Sequence, residues 1–377
     1  MAERSGPSRI VALILVGLGA FLLVAAILIP TYTVPRLEKT PLDLEVTTVS
    51  TGTGSVLDAA SLAAGSAVVD ENVPFVSQRF VTVEEPSGAD DITLQAGSTL
   101  RRTDVQGETG LRSATVDRVT LDRVTSMPVE NPIGTIQVQA DEPAEEVPHT
   151  GLQYKFPFGA EQKSYPYFDI NARVSQDIDF VEETEINGTP VYKYEQTIAP
   201  VDLSSVVNIP TNRVTLPAAT WGVEGGETPV TMTRWYENTR TLWVEPKTGV
   251  IVKGDEQLHQ YYSRTAGDPE VDVLRVPLTF DENTVEYQLQ QARDGMDQIS
   301  LFGRTVPIVL GILGLIALIV GIVLGVRGNR GDHRPARGNA PRRSDDGGGA
   351  AAPTEPRNRD WTTDQTEVIP RTNLSKE

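Results

Sequence analysis

The chain has no cysteine and only three histidines among its 377 residues. Without cysteine there are no disulfides and no thiolate metal sites, so a fold exposed to an oxidising compartment must rest on its own core. The histidines, His149, His259 and His333, are far apart, and no His-Glu-x-x-His occurs, which leaves zinc without a ligand set. A Gly-x-Ser-x-Gly nucleophile elbow is also missing. A serine triad built on His149 or His259 stays open, because spacing in sequence does not decide it. "GAEQKS" (Gly159 to Ser164) resembles a phosphate loop loosely but lacks the second glycine before Lys163. "DIDFVEETEING" (Asp177 to Gly188) begins like a calcium loop. However, Val181 stands where an oxygen ligand is needed, and Glu182 where the turn glycine belongs. Positive charge is scarce as well: 33 Lys and Arg face 51 Asp and Glu, a net charge of −18. Such a surface repels nucleic acid and anionic headgroups. The expectation is a protein that is not an enzyme, with no cofactor, no metal and no nucleic-acid partner.

What the chain does have is two long apolar runs. Ile10 to Ile29 and Val306 to Val326 each lack any charged residue. About 20 apolar residues suffice for a helix to cross the hydrocarbon core. A cleaved signal peptide is the rival for the first run, with Arg4 and Arg9 as a basic start and Val24-Ala25-Ala26 as a cleavage site. A signal core is usually about 7–15 residues, and this run continues up to Pro30. An uncleaved anchor is expected.

Arginines crowd the far side of the second run: Arg327, Arg330, Arg334, Arg337, Arg342 and Arg343. Positive charge stays on the cytoplasmic side. The predicted layout is therefore a cytoplasmic 1–9, a span over 10–30, an extracytoplasmic 31–305, a span over 306–326 and a disordered cytoplasmic tail over 327–377. That makes the plasma membrane a partner and puts both termini inside the cell. Neither span carries an ionisable residue of the kind that marks an ion path. Gly321 and Gly325 are spaced to let another helix approach closely, either the first span or a helix of a partner.

Between the spans the pattern is mainly β. Arg79 to Glu85, Ser113 to Thr125 and Gly134 to Ala140 alternate and are rich in Val, Ile and Thr. Asn187-Gly188 sits between two alternating runs, a strong hairpin signal. Pro246 to Gly249 marks a second turn. An antiparallel sandwich, barrel-like body or curved sheet with some helix is expected, held between the two transmembrane helices. The acidic, proline-containing Ala140 to Gly151 is a candidate boundary between lobes 31–145 and 146–281, or else a surface loop of one domain. A membrane-proximal helix is predicted over 283–302, capped by Asn283 with Glu286 three residues on.

Aromatic residues are few, 23 in all, yet six lie between Gly151 and Asp169. They occur in "KFPFG" and "YPYFD", beside proline and glycine. Core packing is the ordinary fate of such residues; loops at the mouth of a β body also line apolar ligand cavities. The candidate ligand contacts are Phe156, Phe158, Tyr165 and Tyr167, with Trp221 and Trp235 downstream.

The same stretches, with "NGTPVYKYEQ" and "TRTLWVEPKTGVIVKG" followed by "YY", carry a resemblance over roughly residues 8–326. The chain resembles an actinobacterial family of two-span envelope proteins sometimes labelled the porin PorA family, which includes a mycobacterial polar growth factor. The resemblance implies an accessory role in cell-envelope assembly. The lipid would be an apolar mycolate, of the trehalose monomycolate type, and the partner a mycolate-lipid exporter. The alternatives are a scaffold that positions envelope-synthesis machinery without a small ligand, and a porin- or channel-associated protein. A barrel porin crosses with amphipathic strands and needs no apolar helices, which sits poorly with these two runs.

Overall fold

A computed structural model describes residues 7–329. The predicted tail beyond residue 329 lies outside the described residues. Helix α1 (Pro7–Tyr32) opens the chain, and α2 (Val34–Leu37) follows as a single turn. Strands β1 (Glu45–Leu57), β2 (Val69–Glu84), β3 (Asp91–Arg102), β4 (Leu111–Asp122), β5 (Thr135–Gln137) and β6 (Glu145–Glu146) come next. After them come β7 (Tyr165–Asp169), β8 (Val174–Ile186), β9 (Thr189–Asp202), β10 (Arg213–Pro217), β11 (Pro229–Val244), β12 (Ile251–Ser263) and β13 (Val271–Phe280). They form one sheet in the order β6-β5-β4-β3-β2-β1-β13-β12-β11-β9-β8-β7, with β10 also on β11. The strand pairings are antiparallel. Short helices α3 (Ala59–Ala63), α4 (Leu203–Val206) and α5 (Ala218–Trp221) sit in the connections.

This order is that of successive hairpins read outward in both directions from the middle. The first and last strands are neighbours there, with Ser50 opposite Phe280. The two ends of the β body therefore leave side by side, which brings α1 next to the helices that close the chain. Local chemistry sets the hairpins. Asn187 and Gly188 have φ of 48° and 76°, the left-handed pair that a two-residue turn needs. At the Pro246–Gly249 turn the Glu245 carboxylate accepts from the backbone N–H of Lys247 (2.9 Å) and Thr248 (2.8 Å).

The sheet is open but curls. Its margins approach through the connection 147–152. Val147 N–H donates to Gly134 O at 2.8 Å just before β5, and Leu152 N–H donates to Pro166 O at 2.8 Å on β7. Ile136, Val147 and Phe168 pack together at this junction. The expected lobe boundary, Ala140 to Gly151, thus lies where the two margins meet. Curling gives the sheet an inner face, and the core is distributed along it. Val81, Ile92, Leu94, Val119 and Leu121 form one cluster, while Phe156, Tyr165, Tyr194, Leu242 and Val244 belong to another.

Helix α6 (Glu282–Ser300) packs under the sheet, with Leu289 and Ala292 against Val191 and Val252. The residue that caps it is Asp281, whose carboxylate accepts from Thr284 N–H at 2.7 Å. Sequence favoured Asn283, but that residue already lies inside the helix: β13 ends at Phe280 and Asp281 is the first residue free to turn. A π-helical turn (Leu301–Thr305) joins α6 to α7 (Val306–Asn329) without a break. Helices α1 and α7 are long and apolar enough to cross a membrane. Side chains such as Leu13, Phe21, Ile312 and Ile316 are exposed along them.

Candidate functional site

The curled sheet encloses a cavity of about 320 Å³, within the size range of ligand pockets. Side chains repeat every second residue on each strand, so one face of each contributes. Ser77, Arg79 and Val81 come from β2, and Ile92 and Leu94 from β3. Arg240 and Leu242 on β11 and Glu256 on β12 approach from the other half. Leu37, Thr40 and Pro41, just after α1, line one end, together with Gly295, Gln298 and Ile299 at the close of α6. The cavity therefore reaches the level at which the two apolar helices begin.

Part of the wall is charged. Arg240 donates from Nε to Glu256 at 2.6 Å, from Nη2 to Asp169 at 3.0 Å and from Nη1 to Gln196 Oε1 at 2.7 Å. Tyr236 OH donates to Asp169 Oδ2 at 2.9 Å. Asp169 Oδ1 accepts from the N–H groups of Asn171 and Ala172, both at 2.9 Å, so the buried carboxylate is fully engaged. Burial raises the pKa of Glu256, but the Arg240 charge outweighs it and holds the carboxylate below its ordinary range. Burial also pushes the Tyr154, Tyr167 and Tyr236 hydroxyls up, so they remain donors. Tyr154 OH donates to Asp117, and Tyr167 OH to the Gln153 carbonyl.

Two of the six expected ligand aromatics reach the cavity: Phe158 and Tyr167. Phe156 and Tyr165 do not; they are core. Phe156 is fully buried, its ring 4.7 Å from Tyr194 and edge-on to Tyr165 at 5.5 Å. The Pro246–Gly249 turn closes over its backbone, and a Cβ on Gly249 would stand 2.1 Å from Phe156 O. Trp221 and Trp235 lie elsewhere. Trp221 packs on Tyr262 at 5.1 Å and donates to Val230 O at 3.1 Å. Trp235 donates to Ser263 O at 3.2 Å, and its odd position on β11 turns it away from Arg240 and Leu242.

The glycines of the second span face α1. A Cβ on Gly321 would meet Val16 Cγ2 at 2.8 Å and Ala12 O at 3.0 Å, and one on Gly325 would lie 3.8 Å from Ala12 Cβ. Gly19 and Gly314 make a further close approach in the same seam.

Neither of the described histidines is a free base. His149 has Nδ1 at 2.8 Å from Val147 O and Nε2 at 2.9 Å from Asp117. His259 has Nδ1 at 2.8 Å from Glu237 and Nε2 at 2.7 Å from Asp272. His333 lies outside the described residues. The calcium-like stretch, Asp177 to Gly188, is the second part of strand β8 followed by the Asn187-Gly188 turn. Among the described residues no group of three His, Asp or Glu is placed to hold a metal ion. Reading the sequence missed Arg79, Gln153, Lys155, Asp169, Arg240 and Glu256. The available signal was position: Asp169 ends "YPYFD", and Lys155 opens "KFPFG".

Fold and site together define a class: an antiparallel β body curled around a partly apolar cavity and flanked by two apolar helices. Comparison with known proteins then places the chain. Residues 11–323 match the family model "Porin PorA". A Porin PorA of Corynebacterium resistens is 35% identical, with 81% of this chain and 94% of that protein covered. One of Corynebacterium amycolatum is 31% identical, with 79% and 94% covered. The chain belongs to the porin PorA family.

Proposed function

We propose that this protein is a non-enzymatic accessory of the cell envelope, anchored by α1 and α7, that holds an apolar lipid in the cavity of its β body. The observation that carries this reading is the position of the cavity. Its lining includes Leu37, Thr40 and Pro41 beside one apolar helix and Gln298 and Ile299 beside the other. A lipid leaving the membrane would meet the cavity without crossing water. On this reading the partner is a membrane exporter of envelope lipid, and both termini are cytoplasmic. A reporter active only outside the membrane, fused to Glu377, should be silent; strong activity would reverse the orientation.

The name the relatives bear, Porin PorA, supports a second reading, a porin-related channel. The geometry favours it less. The sheet carries exposed Glu182, Glu183 and Glu185 on β8, where a strand facing lipid would be apolar. The decisive experiment is solvent extraction of the purified full chain followed by mass spectrometry. Retained long-chain lipid supports the lipid reading. An empty protein that gives unitary conductance in planar bilayers supports the channel.

A further inference from the structure

We propose that the cavity selects an amphiphile whose headgroup carries an anionic phosphate, the glycerophosphate class, over a neutral lipid of the same chain. This rests on the lipid reading above and narrows the ligand.

The argument starts from two cations. Arg79 and Lys155 both line the cavity. Arg79 donates from Nε to Ser98 Oγ at 3.3 Å and stands over the Tyr154 ring at 5.8 Å. Its two Nη groups have no acceptor among the described residues. Lys155 donates to Phe156 O at 3.1 Å, and its ammonium sits 3.6 Å from the Phe158 ring centroid. Neither cation has a carboxylate within ion-pair distance among the described residues.

Of the acids on the lining, Asp122 accepts from the N–H groups of Val124 and Thr125, Asp294 accepts from Gln290 Nε2 at 2.8 Å, and Glu256 is held by Arg240 while feeling the Arg79 charge from a distance. Asp169 is held by Arg240 as well. Asp117 accepts from Gln153 Nε2 at 2.9 Å and from Tyr154, and faces His149. Glu245, which acts on Lys155 from a distance, binds the N–H groups of Lys247 and Thr248. Burial pushes the Lys155 ammonium down to about 7, so an anion beside it would restore its charge.

The Arg79 fork suits phosphate oxygens. The rest of the lining, with Val81, Ile92 and Leu94, takes the acyl chain. A chain of net charge −18 repels free anions in bulk, so the two cations act on a group brought in by its lipid tail.

The test uses the full chain in non-ionic detergent, with native mass spectrometry of competing ligands. Lysophosphatidylglycerol and monoacylglycerol of the same acyl chain differ only in the phosphoglycerol. The expected result is a preference of about tenfold or more for the first, the worth of one charged hydrogen bond. Arg79→Gln should remove most of that preference, and Arg79→Lys should restore part of it. Equal retention of the two lipids would overturn the headgroup assignment and leave the lipid reading standing. Retention of neither would sink both. Displacement of lysophosphatidylglycerol by an equal concentration of glycerol phosphate would show a site for free anions and overturn the lipid source. The wild-type comparison stands whether or not a variant folds.

Discussion

Arg240 and Asp169 meet at 3.0 Å inside the β body, joining β11 to the end of β7. Both side chains are almost wholly buried, at 8% and 0% exposure. Taking two charges out of water is costly and is offset only by good geometry and further hydrogen bonds. Here Glu256, Gln196 and Tyr236 supply them. Arg240→Met leaves two carboxylates without their cation. The expected loss is about 3–5 kcal/mol of stability, read as a lower denaturant midpoint of the full chain. Loss below about 1 kcal/mol, the worth of an exposed pair, would mean that water reaches the network.

Phe156 and Phe158 lie two residues apart and should respond differently to truncation. Phe156 is fully buried among Tyr165, Tyr167 and Tyr194. Its replacement by alanine should cost about 3–5 kcal/mol, because burial is lost and a hole remains. Phe158 is half-buried, borders the cavity and has the Lys155 ammonium 3.6 Å from its ring centroid. Phe158→Ala should cost less than half as much and should release bound lipid. Equal destabilisation by both, with lipid retention unchanged, would return Phe158 to the core.

Local periodicity made several strands, two turns and the closing helix readable before the fold was known. The Asn187-Gly188 hairpin follows from backbone sterics at two positions. Strand order is a different matter. The pairing of β1 with β13 joins Ser50 to Phe280, and no local pattern links residues so far apart. The aromatic stretch was legible as a concentration of residues but not as a division between core and cavity. The turn at Gly249 closes over the Phe156 backbone, while Phe158 borders the cavity. The charged wall was illegible for a plain reason. Arg79, Arg240 and Glu256 look like ordinary strand charges until curling turns their face inward.

His259 lies between two carboxylates, Glu237 at 2.8 Å and Asp272 at 2.7 Å. Burial works against its charge, yet the hydrogen bonds to Asp272 and Glu237 outweigh it and raise its pKa. The same contact, foremost, lowers Asp272. A raised histidine stabilises fully below its unfolded value of about 6.5 and loses that contribution as pH rises through the folded value. A lowered Asp272 stabilises above about 3.9 and loses its share as pH falls. Stability from this cluster is therefore greatest between those limits and declines on the alkaline side. His259→Gln should flatten the alkaline decline in the thermal midpoint of the full chain. Parallel curves for wild type and variant from neutral to mildly alkaline pH would remove His259 as the cause.

The seam between α1 and α7 permits a sharper test, because the chain has no cysteine of its own. The Cβ that a side chain at 325 would carry lies 3.8 Å from the Cβ of Ala12. Paired half-cystines have Cβ atoms about 3.8 Å apart. Ala12→Cys with Gly325→Cys should therefore form an intramolecular disulfide on mild oxidation, seen as a mobility change that reductant reverses. Ile322→Cys in place of Gly325→Cys is the control, since Ile322 is exposed on α7. It should give no such band with Ala12→Cys. A cross-linked dimer instead of an intramolecular bridge would mean that these small residues receive a helix from a second copy. A monomer that stays reduced would mean that the two helices do not pack along this face.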